Sequence, residues 1–235
     1  MQAIILVGGQ GTRLRPVVSD VPKPMAPIRG RPFLAYLLDA LEAQGFTEIV
    51  LAVGYLRDIL MQTFGERHGR LRLRYSVEET PLGTGGAIRQ AFAAVSGWPV
   101  FVLNGDTFLE LNCAAMLDAH EAAGAELTMA LTHVADATRY GRVLTEAGRV
   151  TGFEPAGRPG PGLINAGVYL FAATAMAPAE LPEAFSFERD FLVPHLSRLC
   201  PLAHAVSGYF IDIGIPEDFA RAQTELTPYT NPAKG

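Results

Sequence analysis

Short apolar runs alternate with segments of helical spacing through the first half of this 235-residue chain. Residues 3–7, 49–53, 71–77 and 100–103 are the apolar runs, each of strand length. Residues 32–44, 57–64 and 86–95 lie between them with helical patterns. Pro32 suits the first turn of its helix and Gly45 its stop. Strands separated by helices pair in parallel, because the crossover carries the chain back over a sheet face. The expected fold class is therefore α/β, with a mostly parallel central sheet between helices. In such sheets ligands bind outside the carboxyl ends of the strands.

The second half is less regular. Residues 112–123 read as a helix, 127–132 as a strand, and 142–144 and 150–153 as short strands around a turn at 146–148. Residues 157–162 form a Pro/Gly loop. Strands at 167–171 and 209–213 flank a helix at 187–199, and 216–226 is a closing helix. Residues 1–226 are expected to make one domain, with 227–235 a flexible tail.

Composition narrows the function. Hydrophobic residues make up 49% of the chain, enough for a full core. A net charge of −5 argues against a general nucleic-acid binder, which needs a basic face. Cys113 and Cys200 have no CxxC partner, and His68, His120, His133, His195 and His204 lack metal-ligand spacing. No stretch approaches the roughly 18 apolar residues of a membrane span, and the N-terminal apolar run lacks a signal peptide's basic segment. A reduced, cytoplasmic protein with no membrane or nucleic-acid partner is expected.

The first strand runs into Gly8-Gly9-Gln10-Gly11-Thr12-Arg13-Leu14, and Pro22-Lys23-Pro24 follows. Glycines let backbone N–H groups approach phosphate oxygens closely. Arg13 adds a fork of donors and Lys23 a compact positive charge. This is not a P-loop, for no Lys-Ser/Thr follows Gly11, nor a dinucleotide fingerprint, which needs glycine where Leu14 stands. Asn104-Gly105-Asp106 ends the strand at 100–103, and Asp212 interrupts the apolar Tyr209-Phe210-Ile211-Asp212-Ile213. Each acid has a plain role available, Asp106 as a cap and Asp212 as a buried, hydrogen-bonded carboxylate. Together, beside a phosphate loop, they suit Mg²⁺, which takes one or two carboxylates plus phosphate oxygens.

Such a set implies nucleotidyl transfer. A phosphate with a second pKa near ~6 is already ionised at neutral pH, so it attacks the α-phosphorus without a general base. The absence of a Ser-His-Asp or Cys-His constellation agrees with that. Glu78 and Glu79 end the strand at 71–77 just before Pro81-Leu82-Gly83-Thr84-Gly85-Gly86. A carboxylate there can accept from adjacent N1–H and N2–H₂ of guanine, whereas the carbonyl oxygens of uracil would repel it. The plain alternative is that both glutamates are solvated.

These motifs, with Asn165-Ala166-Gly167-Val168-Tyr169, resemble the sugar-1-phosphate nucleotidylyltransferases over nearly the whole chain. The resemblance implies a Rossmann-like three-layer α/β/α sandwich, Mg²⁺ as cofactor, and a nucleoside triphosphate and a sugar 1-phosphate as substrates. By the same likeness Arg13, Lys23 and Asp106 are catalytic and Asp106 and Asp212 hold the metal. Leu6, Gly8, Gly9, Gly11, Thr12, Arg13, Glu78, Gly83, Thr84, Asn104 and Gly105 would bind the nucleotide. Tyr140, Gly141, Glu154, Asn165 and Gly167 would bind the sugar phosphate. Many relatives carry a lysine after the glutamate at 154. Here Pro155 stands there, and Arg158 is the expected replacement.

Three phrases, Val17-Val18-Ser19-Asp20-Val21-Pro22-Lys23-Pro24-Met25-Ala26-Pro27-Ile28, residues 75–88, and Phe210-Ile211-Asp212-Ile213-Gly214-Ile215-Pro216-Glu217-Asp218, resemble one branch of the family. That branch transfers GMP from GTP to D-glycero-α-D-manno-heptose 1-phosphate, in agreement with the guanine reading of Glu78. Mannose 1-phosphate with GTP, N-acetylmuramate 1-phosphate with UTP, and a catalytically silent nucleotide-sugar sensor stay open as alternatives. The chain ends soon after Asp212, so the β-helix domain of acetyltransferase-fused members is not expected. Assembly into a homo-oligomer is left open.

Overall fold

A computed structural model of the protein describes residues 1–9, 21–177 and 180–226. The tail expected at 227–235 lies outside the described residues. The first half contains β1 (Gln2–Leu6), a small hairpin of β2 (Pro27–Ile28) and β3 (Arg31–Pro32), and α1 (Phe33–Ala43). Then come β4 (Glu48–Val53), α2 (Arg57–Phe64), β5 (Arg67–His68), β6 (Leu71–Val77), α3 (Gly83–Ala91) and β7 (Val100–Asn104). The second half runs through β8 (Thr107–Leu109), α4 (Cys113–Ala122), β9 (Leu127–Val134), β10 (Arg142–Glu146), β11 (Arg149–Glu154) and β12 (Gly162–Phe171). It ends with a π-helix (Phe187–Leu192), α5 (Leu196–Leu199), β13 (Leu202–Val206), β14 (Phe210–Asp212) and α6 (Pro216–Glu225).

Ten strands form one sheet in the order β10-β11-β13-β9-β12-β7-β1-β4-β6-β5. β7, β1, β4 and β6 pair in parallel, as their helical crossovers require. β12 runs antiparallel between β7 and β9. Its reversed direction brings its early residues to the rim where β7 ends, since Val168 pairs with Leu103.

The central strands are apolar on both faces, and their period of two sends alternate residues into two cores. Ala3, Ile5, Ile49, Leu51, Phe101 and Leu103 pack with Phe33, Leu34, Leu37 and Leu41 of α1, Leu60 of α2, Met116 of α4 and Ala222 of α6. Ile4, Val50, Val102 and Val100 pack on the other side with Ala87 and Ile88 of α3 and Phe187 and Phe191 of the π-helix. Helices thus cover both faces, and the expected three-layer α/β/α sandwich with a mixed, mostly parallel sheet is present.

Two elements differ from the sequence reading. The helix expected at 187–199 is broken into the π-helix and α5. Pro194 has no N–H to continue the helical hydrogen-bond ladder, and the helix breaks there, with His195 leaving helical geometry at φ −104° and ψ 13°. The helix expected at 86–95 starts earlier, at Gly83, and gives way to a short 3₁₀ turn at Phe92–Ala94. β14 falls within the strand expected at 209–213, whereas its partner β8, β13 and the β2–β3 hairpin had no periodic signal long enough to reveal them. Among the described residues no helix is long and apolar enough to cross a membrane.

Candidate active site

β1, β4, β6 and β7 end on one rim. Backbone hydrogen bonds continue past the strand ends and hold the loops there. Gly105 N donates to Leu6 O (3.0 Å), Glu78 N to Val53 O (2.8 Å) and Val7 N to Ala52 O (3.0 Å). Three adjoining clefts follow this rim, and neighbouring clefts share wall residues.

The first cleft, about 500 Å³, lies over the ends of β1, β4 and β6. Leu6, Gly8, Gly9, Glu78, Gly83 and Thr84 line it, joined by Gly54 and Tyr55, which the sequence reading did not name. Glu78 Oε2 accepts from Leu82 N at 3.0 Å, which fixes the carboxylate against the cleft. Burial raises its pKa above the usual glutamate range, and the Leu82 bond pulls it back down. Gly8 is needed for this packing, because a Cβ there would lie 2.7 Å from Glu78 Oε1 and 3.2 Å from Gly54 N. Glu79 stands at the edge, 77% exposed and paired with Arg57 at 3.0 Å.

The middle cleft, about 290 Å³, joins Leu6, Gly9 and Thr84 of the first to Lys23, Asn104, Gly105 and Asp106. The β8–β14 ribbon assembles its acids. Asp212 pairs with Thr107, and Ile213 N donates to Asp106 O at 3.0 Å. Two carboxylates far apart in the chain therefore share one turn of space. Lys23, presented by a 3₁₀ turn between prolines, hydrogen-bonds Asp106 Oδ2 and lies 3.8 Å from Asp212 Oδ1. Asp212 also accepts from Gly214 N at 2.7 Å and from Arg139 Nη2 at 3.2 Å. Burial raises the Asp212 pKa, and the Asp106 charge adds to the rise. Lys23 and Arg139 lower it without cancelling it. Among the described residues no three or more His, Cys, Asp or Glu side chains are grouped so as to hold a metal ion by themselves. Two carboxylates beside a phosphate-sized space still match Mg²⁺, which completes its shell with phosphate oxygens and water.

The third cleft, about 580 Å³, opens under β11 and β12 and shares Lys23, Asn104 and Asp106 with the middle one. Tyr140, Gly141, Glu154, Asn165 and Gly167 all line it. Gly167 has φ +70°, and a Cβ there would meet Asn104 Nδ2 at 2.6 Å, so β12 can meet β7 only through glycine. Arg158 pairs with Glu154 at 3.2 Å, is 70% exposed, and stands off the cleft wall. Gly11, Thr12 and Arg13 lie outside the described residues.

The nucleotidyl transferase family model matches residues 2–228. The chain belongs to the nucleotidyl transferase family. A D-glycero-alpha-D-manno-heptose 1-phosphate guanylyltransferase of Aneurinibacillus thermoaerophilus is 43% identical to it over 229 residues, 97% of this chain and 100% of that protein. A protein of the same name from Campylobacter jejuni subsp. jejuni serotype O:2 is 41% identical over 93% of this chain and 97% of its own length. The crystal structure of HddC from Yersinia pseudotuberculosis complexed with GMP-PN has a TM-score of 0.84 to this nucleotidyl transferase. That pair shares 35% identity over 94% of this chain and 97% of the other.

The third cleft of this nucleotidyl transferase is also lined by residues that the sequence motifs did not flag. Arg139 lines the third cleft, lies over the Tyr140 ring at 4.6 Å, and bridges Asp212 to Asp218 of α6 (2.7 Å). Burial foremost, then the Asp212 charge, pushes the Tyr140 hydroxyl up to about 12, so it stays protonated. Glu188 of the π-helix faces the same cleft. Arg139 sits in a short segment without a recurring pattern and Glu188 at the start of the segment read as a helix, and only the path of the chain brings both to the cleft.

Proposed function

We propose that this nucleotidyl transferase moves GMP from GTP to D-glycero-α-D-manno-heptose 1-phosphate, releasing pyrophosphate. The observation that carries the reading is the continuous cleft along one rim, with Glu78 at one end, Lys23 and the two aspartates in the middle, and a polar chamber at the other. The two heptose 1-phosphate guanylyltransferases that match this chain end to end support the choice of base and sugar.

Guanine would lie against Glu78, whose carboxylate accepts the paired N–H donors of the purine edge. The triphosphate would follow the glycine loop toward Lys23. A sugar 1-phosphate in the third cleft would place a phosphate oxygen in line with the α-phosphorus. That oxygen forms the new P–O bond as the bond to pyrophosphate breaks. No proton needs removal, because the attacking phosphate is already ionised. The protein's task is positioning and charge neutralisation. Lys23 is short of solvent and charged beside both acids, so it can exchange an aspartate for a phosphate oxygen without leaving the site. Arg139, with Arg142 and Arg189, supplies further positive charge in the third cleft, where the lysine of many relatives is replaced by Pro155. Asp106 and Asp212 would hold Mg²⁺, which when bound neutralises charge on the triphosphate.

Pyrophosphate release with Mg²⁺ tests this, crossing GTP, UTP, ATP, CTP and dTTP with a panel of sugar 1-phosphates. Release with GTP and the heptose phosphate alone is expected. Release with mannose 1-phosphate instead would keep the chemistry and replace the sugar. Nucleotide binding without any release would point to a sensor.

A further inference from the structure

Glu188 stands in the first turn of the π-helix and faces the third cleft. Its position is built by two side chains of β12. Asn165 Nδ2 donates to Glu188 Oε1 at 2.7 Å and to the Tyr169 hydroxyl at 2.6 Å. The Tyr169 hydroxyl donates to the same Oε1 at 3.2 Å. Tyr169 is 2% exposed, and burial followed by the Glu188 charge raises its pKa, so its hydroxyl remains a donor. Asn165 Oδ1 accepts from Gly167 N at 3.1 Å. The Asn165 amide therefore spends both donors and its acceptor inside the protein. Glu188 Oε1 is occupied twice, while Oε2 makes no hydrogen bond to any described residue.

A carboxylate with one oxygen clamped presents the other as an acceptor at a set place. We propose that Glu188 Oε2 accepts hydrogen bonds from hydroxyls of the sugar, and that Asn165 and Tyr169 are positioning residues acting through it. The inference rests on the third cleft receiving a sugar 1-phosphate. The π-helix is also tied to the nucleotide end of the rim. Phe187 N donates to Thr84 Oγ1 at 2.9 Å, and Phe185 O accepts from Gly85 N at 2.9 Å. The segment that carries the sugar acceptor is thus seated on the start of α3, which lines the first cleft.

Steady-state kinetics of Glu188→Gln test this, with GTP and whichever sugar 1-phosphate the parent enzyme turns over. The KM for the sugar phosphate is expected to rise roughly tenfold to a hundredfold. The KM for GTP and the calorimetric affinity for GTP stay unchanged, which also reports an intact fold. Monodeoxy analogues of the sugar phosphate then separate contact from structure. Removing the contacted hydroxyl penalises the parent and adds nothing to the Glu188→Gln penalty. Tyr169→Phe raises the sugar KM by a smaller factor and leaves GTP alone. An unchanged sugar KM in Glu188→Gln, or equal penalties from every deoxy analogue in parent and variant, overturns the assignment while the transferase reading stands. A parent that turns over no sugar 1-phosphate overturns both.

Discussion

Asp212 holds its charge against the preference of its surroundings. Burial first and Asp106 second raise its pKa. A raised carboxyl contributes most to stability in its acid form, at low pH. That contribution is lost as pH rises through the unfolded value and is gone above the shifted one. At neutral pH the Asp212 charge therefore works against the fold. Asp212→Asn is expected to leave the urea midpoint at pH 7.5 unchanged or higher, while Mg²⁺-dependent turnover falls by about a hundredfold or more. A lower midpoint would show that its ion pairs outweigh its burial. Asp106→Asn should cost turnover to a similar degree. At the other end of the rim, Glu78→Gln keeps the shape of the side chain and replaces one acceptor with a donor. The ratio of kcat/KM for GTP over UTP should fall by roughly tenfold or more, the worth of a charge-assisted hydrogen bond. An unchanged ratio would remove Glu78 from the base site.

Helix α4 shows how a single element is held at its two ends. The Asn112 side chain caps its start by accepting from Ala115 N at 3.0 Å. Asn112→Ala is expected to cost about 1 kcal/mol in urea denaturation, with KM values unchanged. Near the other end, His120 is 3% exposed and its Nδ1 meets Thr128 Oγ1 of β9 at 2.8 Å. Burial lowers its pKa, so the folded state keeps the ring neutral. The unfolded chain protonates first as pH falls. Stability is therefore complete above the ordinary histidine value of 6.5 and is lost below it, until the folded form also protonates. The loss is at most about 1.4 kcal/mol per pH unit for this group. Denaturation at pH 7.5 and 5.5 should show a drop in the parent that is smaller in His120→Asn. His204, lowered by burial as well, supplies part of the residual drop.

At the scale of the molecule, the sheet is the frame on which the rim depends. Phe101 is central to β7, 1% exposed, and meets Phe46 edge-on with ring centroids 5.3 Å apart. Phe101→Ala should cost about 3–5 kcal/mol, read as a lower Tm and urea midpoint. The surviving folded fraction should bind GTP with the parent's affinity, because the clefts lie beyond the strand ends rather than in the core. A loss of affinity larger than the loss of folded protein would mean that the rim is coupled to this core.

Much of this fold is carried by local pattern. The apolar runs that became β1, β4, β6 and β7 are buried on both faces, which leaves them continuous and easy to read. The helices between them leave parallel pairing as the available course, and parallel strands gather their carboxyl ends on one rim. The glycine turn, Lys23, Glu78 and Asn104-Gly105-Asp106 follow directly from those ends, so their neighbourhood was legible from sequence. Asp212 was visible as a charge in an apolar strand, but its place beside Asp106 depends on a ribbon of three-residue strands. Such strands carry no periodicity. The reversal of β12, which swings Asn165 and Gly167 to the same rim, is a matter of strand order, and local propensity is silent on strand order. Arg139 and Glu188 reach the third cleft for the same reason, and Arg158 turns to Glu154 instead. Sequence alone determined the layers, the parallel core and the gathering of Gly8, Gly9, Glu78 and Asp106 on one rim, because each is written in neighbouring residues. Only the tertiary structure decided how the two aspartates meet and which side chains wall the third cleft, because those contacts join residues scores of positions apart through packing.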